Sequence, residues 1–203
     1  MFLTGRPSDA RIREVIESQR DAEFSYAQVG ATRGALPAGY NVDRHRVELG
    51  RGNAAFERAK QAVRSWKMFE LGWVELCWPD APIEPGSAVG VLVRFCGVWS
   101  LNVCRVVYVI DEPRRYGFAY GTLPEHAETG EELFTVEWRE DDSVWYEILA
   151  FSRPKHVAAK LGYPAARRLQ ERFRRDSSCR LFLRVGRIPV KMKCALGRAR
   201  VIC

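Results

Sequence analysis

Leu133-Phe-Thr-Val-Glu-Trp-Arg-Glu-Asp-Asp-Ser-Val-Trp-Tyr-Glu-Ile-Leu-Ala-Phe-Ser-Arg-Pro154 is the stretch that decides the fold. Two runs rich in β-branched and aromatic residues, 133–140 and 144–152, flank the turn-forming triplet Asp141-Asp-Ser, and so short a link makes the two strands antiparallel neighbours. Ser152-Arg153-Pro154 then stops the second run, because proline offers the ladder no donor. The same proline is tolerated in the first turn of a helix, so a helix is expected to open here. It is interrupted or restarted near Gly162-Tyr-Pro164 and carries Leu169 and Phe173 to about Arg175.

Upstream, the same pattern of short strands and turn residues repeats. Strands are expected at Trp73–Trp78, Ala88–Val98, Leu101–Ile110 and Tyr116–Thr122, with turns at Pro79–Gly86, Trp99-Ser100, Asp111-Glu-Pro-Arg and Leu123–Gly130. Before them, Asn53 caps a helix whose Phe56, Ala59, Val63 and Trp66 share one face, and Tyr40–Gly50 reads as a strand. Ser8-Asp9 starts an accessory helix reaching about Ala22, and Phe24–Gly39 is an irregular linker. This order predicts an α+β protein: a curved antiparallel sheet of about six or seven strands gripping a long C-terminal helix, with an N-terminal accessory helix. The expected parts are 1–39 (helix and linker), 40–178 (one α+β domain) and 179–203 (a basic extension).

Nearly half of the residues are hydrophobic (47%) and about a quarter charged (28%), the balance of a packed protein and not of a disordered one. The formal charge of +7 is unevenly placed: twelve of the 32 Lys/Arg but only two of the 25 acids lie from Arg167 onward, leaving 20 bases against 23 acids before it. An acidic partner, nucleic acid included, would therefore meet the C-terminal end, and it is not the favoured partner. No apolar stretch is long enough for a signal peptide or a membrane span, so the cytoplasm is the expected compartment. The six cysteines lack CxxC spacing and read as reduced and structural.

Several strings resemble, in sequence and in order, the uncharacterised protein family 0548. They are Phe24-Ser-Tyr26 with Val29-Gly-Ala-Thr32, Gly50-Arg-Gly52 with Phe56 and Ala59, Trp66-Lys-Met-Phe69 with Gly72-Trp73, Asn102-Val-Cys-Arg-Val-Val107, Tyr120-Gly-Thr-Leu-Pro124 with His126, Gly130-Glu-Glu132 with Phe134, and Phe151-Ser-Arg-Pro154. They span about residues 2 to 175, and the chain departs from the pattern after about Ser178. The resemblance implies the extent of the domain and brings no catalytic residue or ligand with it. The order of elements is similar to the helix-grip, START-like fold, whose sheet and last helix often enclose an apolar cavity.

Tyr120-Gly-Thr-Leu-Pro-Glu-His-Ala-Glu-Thr-Gly-Glu-Glu132 is the densest polar cluster. His126 beside Glu131 or Glu132 could act as a general acid/base pair; the favoured reading is that Gly121, Pro124 and Gly130 shape a tight connection whose charges are solvated or form local hydrogen bonds. Arg105 sits in an apolar strand, on the face of Val103 and Val107 and opposite Cys104, Val106 and Tyr108, so it needs a carboxylate such as Glu132 or a bound anion. Arg153 at the strand-to-helix corner poses the same choice. The tryptophans read as core or as pocket lining, with Trp99 counted among the ligand-binding candidates. No GxSxG, Walker, Rossmann or HExxH pattern is present, so neither a cofactor nor a metal is expected. In the tail, Leu181–Val185 could add a strand. The reading that follows is of a small hydrophobic or amphipathic ligand bound between sheet and last helix, through Arg105, Tyr120, His126, Glu131, Glu132, Arg153 and Trp99, with catalysis left open.

Overall fold

The hairpin read from 133–154 forms as expected: β7 (Glu128–Trp138) pairs with β8 (Ser143–Pro154), from Glu128↔Pro154 to Trp138↔Val144. The computed structural model describes residues 2–155 and 163–186. Preceding the hairpin are β1 (Phe2–Leu3), α1 (Asp9–Ser18), β2 (Asn41–Arg51), α2 (Asn53–Arg64), β3 (Val74–Cys77), β4 (Ala88–Phe95), β5 (Val98–Glu112) and β6 (Arg115–Thr122). α3 (Tyr163–Val185) follows it. The sheet is antiparallel in the order β2-β8-β7-β6-β5-β4-β3, with β1 beside β5. The architecture is therefore the α+β, sheet-and-terminal-helix arrangement expected.

Alternation sorts the sheet into two faces. The inner face carries Val91, Cys104, Val106, Phe118, Phe134, Tyr146 and Ile148, covered by Phe56, Ala59 and Val63 of α2 and by Leu181 and Val185 of α3. The outer face is covered at one end by Ile12 and Val15 of α1, packed on Leu92, Leu101, Val103 and Leu123. Among the described residues, no helix is long and apolar enough to cross a membrane.

Three local expectations are corrected. The β4–β5 turn lies at Cys96-Gly97, both at positive φ (48° and 78°), and not at Trp99-Ser100, which pair with Leu3 and Phe2 of β1. Two residues at positive φ match the twist of a tight hairpin, and the apolar Cys96 disguises the turn. In β5, a register shift between Val106 and Tyr108 resets the alternation, so Tyr108 joins Ala119, Leu133 and Leu149 on the outer face instead of following Cys104 and Val106. The last helix does not stop near Arg175: residues 181–185, read as a strand, are its final turns, with Leu181 and Val185 in the core. Pro154 ends β8; the helix turn expected to open there falls on 156–162, outside the described residues as is the tail beyond Gly186, and α3 begins at Tyr163, where a restart was expected.

Much of the positive charge of α3 is matched by acids. Arg167 and Arg174 pair with Asp43, Arg172 and Arg175 with Asp176, and Arg180 and Arg184 with Glu70. The indole N–H of Trp73 also donates to Asp176 at 3.1 Å.

Leu181 tests whether the end of α3 belongs to the domain. Leu181→Ala should lower the unfolding free energy by about 2–4 kcal/mol in urea denaturation, the usual loss for a fully buried leucine. A change below about 0.5 kcal/mol would place it outside the core.

Candidate functional site

Glu131 and Glu132 leave β7 on opposite faces. Glu131 points outward and is only 2% exposed. Its carboxylate accepts the Tyr26 hydroxyl and the Gly30 N–H, each at 2.7 Å, the Thr32 N–H at 3.0 Å, and the Thr32 hydroxyl. Glu131 thus gathers four donors of the linker 24–33 onto the sheet, and Ser25 adds hydrogen bonds to Thr122 and Thr129. Gly121, opposite Glu131 on β6, makes this possible: a Cβ there would lie 2.1 Å from the Tyr26 hydroxyl. Ionised carboxylates take such donors well, and four of them fill its acceptor sites.

Glu132 faces a cavity of about 250 Å³ between the inner sheet face and the N-terminal half of α3. Phe69, Trp73, Val91, Val93, Leu169 and Phe173 supply its apolar wall. Polar groups come from β2, β8, β7, β6 and α3, with Ser100 and Asn102 of β5 also in the wall. Tyr120 donates to Glu132 at 2.8 Å. The Gln170 amide donates to Glu128 and, at 3.2 Å, to Ser152. Asp43 receives Arg167 at 2.7 Å and Arg174 at 3.2 Å. His126 Nδ1 lies 3.0 Å from Glu128 N, whose hydrogen can only be donated, so Nδ1 accepts and the ring proton sits on Nε2.

Burial sets the protonation states. It pushes Glu132 up to about 7, against the opposing hydrogen bond from Tyr120 and the positive charge of Arg174. Burial also raises Glu128, opposed by its bonds to Ser152 and Gln170. His126 is pushed down to about 3, again mainly by burial, and stays neutral. A carboxyl poised near neutrality can give a hydrogen bond as an acid or take one as a carboxylate.

Of the residues singled out in the sequence, Tyr120, His126, Glu131 and Glu132 border the cavity, the Glu131 carboxylate being engaged by the linker. Glu131 is structural glue on the outer face. Arg105 donates to the Arg20 carbonyl at 2.7 Å and lies 4.4 Å over Phe24; its expected partner, Glu132, is on the other face. The C-terminal end of α1 supplies the negative pole that the cation needs. Arg153 lies 4.6 Å over Tyr40, and Trp99 packs among the α1 cluster. His126 bonds to the Glu128 backbone, so no His126–Glu131 or His126–Glu132 pair forms in this geometry. Asp43, Gln170 and Arg174 escape the sequence reading, although polar residues interrupting the apolar stripes of β2 and α3 are the available sign; Glu128 lies within the quoted cluster but is not singled out there. Among the described residues, no three His, Cys, Asp or Glu side chains converge as a metal site.

Fold and site define the class: an antiparallel sheet closed by a terminal helix over a cavity lined by both apolar and polar groups. Residues 25–180 match the model of a domain of unknown function, DUF1990. A UPF0548 protein of Dictyostelium discoideum is 33% identical, covering 92% of this chain and 96% of its own length. Another from Deinococcus radiodurans is 38% identical, covering 85% and 92%. The chain belongs to this family. A hypothetical protein of Helicobacter pylori has a similar fold, with a TM-score of 0.51 at 12% identity over 79% of this chain and 98% of that one.

Two measurements probe the paired glutamates. Glu131→Ala should destabilise by about 3 kcal/mol or more, because several donors lose their acceptor, and Tyr26→Phe by only about 1 kcal/mol. Equal losses in denaturant titrations would contradict the shared anchor. For Glu132, a folded-state pKa of about 7 lies above the ordinary 4.5, so the native state holds its proton longer than the unfolded one. Its contribution to stability therefore falls as pH rises from about 4.5 to 7, and the stability of Glu132→Gln relative to wild type should climb over that window. A flat difference curve would mean that Glu132 is already ionised at acid pH.

Proposed function

We propose that the protein binds a small, largely apolar molecule in the cavity between the inner sheet face and α3, with its polar end toward Glu132, Tyr120 and Asp43. The observation that supports this reading is the cavity itself: aromatic and branched side chains make up much of its wall, and Asp43, Tyr120, Glu128 and Glu132 add polar groups from β2, β6 and β7. By proportion to the ~150 Å³ cavity that holds benzene, its volume suits a ligand of about ten non-hydrogen atoms. The free thiols of Cys77, Cys96 and Cys104 support a reducing, cytoplasmic setting for it. Nucleic-acid binding through the basic end gains nothing from α3, where the arginines named above already face acids.

Thermal denaturation with neutral bicyclic probes tests the reading. A probe at tenfold its Kd should raise Tm by about 4 °C. Val91→Phe, which fills the cavity from β4, should abolish the rise. Absence of any shift across the panel would reject a ligand site here.

A further inference from the structure

The polar side of the cavity is unbalanced in charge. Asp43, Glu128 and Glu132 line it, against Arg174 alone. Arg174 is committed to Asp43 at 3.2 Å, and Asp43 holds Arg167 as well. Glu128 is held by an amide and Glu132 by a phenol, and neither has an ion pair among the described residues. A carboxylate kept from water without a cation is costly, and a ligand can supply what the chain does not.

We propose, building on the cavity reading above, that the ligand carries a protonated amine that pairs with the Glu132 carboxylate. Two further features fit a cation. Phe69 has Tyr120 and Phe173 as ring neighbours, with centroids 6.2 and 5.4 Å away, and all three line the cavity together with Glu132. Such faces attract an ammonium group and offer nothing to an anion. An incoming carboxylate or phosphate would meet three acids and an arginine that is already neutralised.

Glu132 is surrounded by groups from every neighbouring element: Tyr120 on β6, Cys104 on β5, Tyr146 on β8, Asp43 on β2, Glu128 on its own strand and Arg174 on α3. Arg174 alone among them is cationic and favours the ionised form. An arriving ammonium adds a second favourable charge at closer range. Below neutrality it therefore displaces the Glu132 proton to solvent, and amine affinity rises as pH rises toward 7.

The test compares three probes of one shape on the full chain: 2-naphthylmethylamine, 2-naphthylmethanol and 2-naphthoic acid. At pH 7.5 the amine should bind roughly tenfold or more tighter than the alcohol, the scale of one charge-assisted hydrogen bond, and the acid most weakly. Glu132→Gln should collapse the amine-to-alcohol ratio to about one. Calorimetry at pH 6 in buffers of different ionisation enthalpy should show proton release for the amine and none for the alcohol. Equal amine and alcohol binding, tighter acid binding, or an unchanged ratio in Glu132→Gln would overturn the proposal while leaving the cavity reading in place. If none of the three binds, both fall together.

Discussion

Consecutive side chains of a strand leave on opposite faces, and β7 places two carboxylates at that point. Glu131 turns outward to hold the 24–33 linker, while Glu132 turns inward to the cavity with Tyr120 as its hydrogen-bonding partner. The outer cover and the inner pocket therefore share one backbone register. A slip of a single residue between β6 and β7 would exchange the two environments, placing the satisfied acid in the cavity and the poised one among the linker donors. Gly121 marks that register from the opposite strand, since only a residue without a side chain leaves room for Tyr26.

The inner face divides the work between two helices. α2 and the end of α3 fill one half with Phe56, Val63, Leu181 and Val185, while the beginning of α3 spans the other half without filling it. Leu169 and Phe173 are only partly buried there because they border empty volume. Ser177, fully buried midway along α3, meets the Tyr146 hydroxyl at 3.0 Å, so these two hydroxyls satisfy each other at the boundary.

Most of the sheet was legible because its turns carry recognisable residues and its strands alternate: Asp141-Asp-Ser and the 133–154 hairpin are where they were expected. What failed has specific causes. The register shift near Val107 lies in a continuous apolar run, where a bulge leaves no trace, so Tyr108 was assigned to the wrong face. Leu181–Val185 is a short apolar run that fits strand or helix equally, and only its packing on α2 decides. At the site, Tyr120, His126 and Glu132 were recognisable as a polar cluster. Asp43 meets Arg167 across 124 residues of chain, a pairing that no local pattern encodes. Glu131 and Glu132 could have been separated from the alternation rule alone, once the strand was taken to begin at Glu128 instead of Leu133.

The inward residues of α3 recur every fourth position: Leu169, Phe173, Ser177, Leu181 and Val185. With 3.6 residues per turn, each step of four advances about 40° around the axis, so this stripe winds through about 160° from Leu169 to Val185. α3 is seated like a screw, its first threads against the cavity and its last against α2, where Arg58 donates to the Val185 carbonyl at 2.9 Å. Rolling the helix to widen the cavity would lift Leu181 and Val185 out of the core. Torsional stiffness at the far end thus limits how far the roof can turn, and leaves rotamer changes of Leu169 and Phe173 as the way to alter the space at the near end.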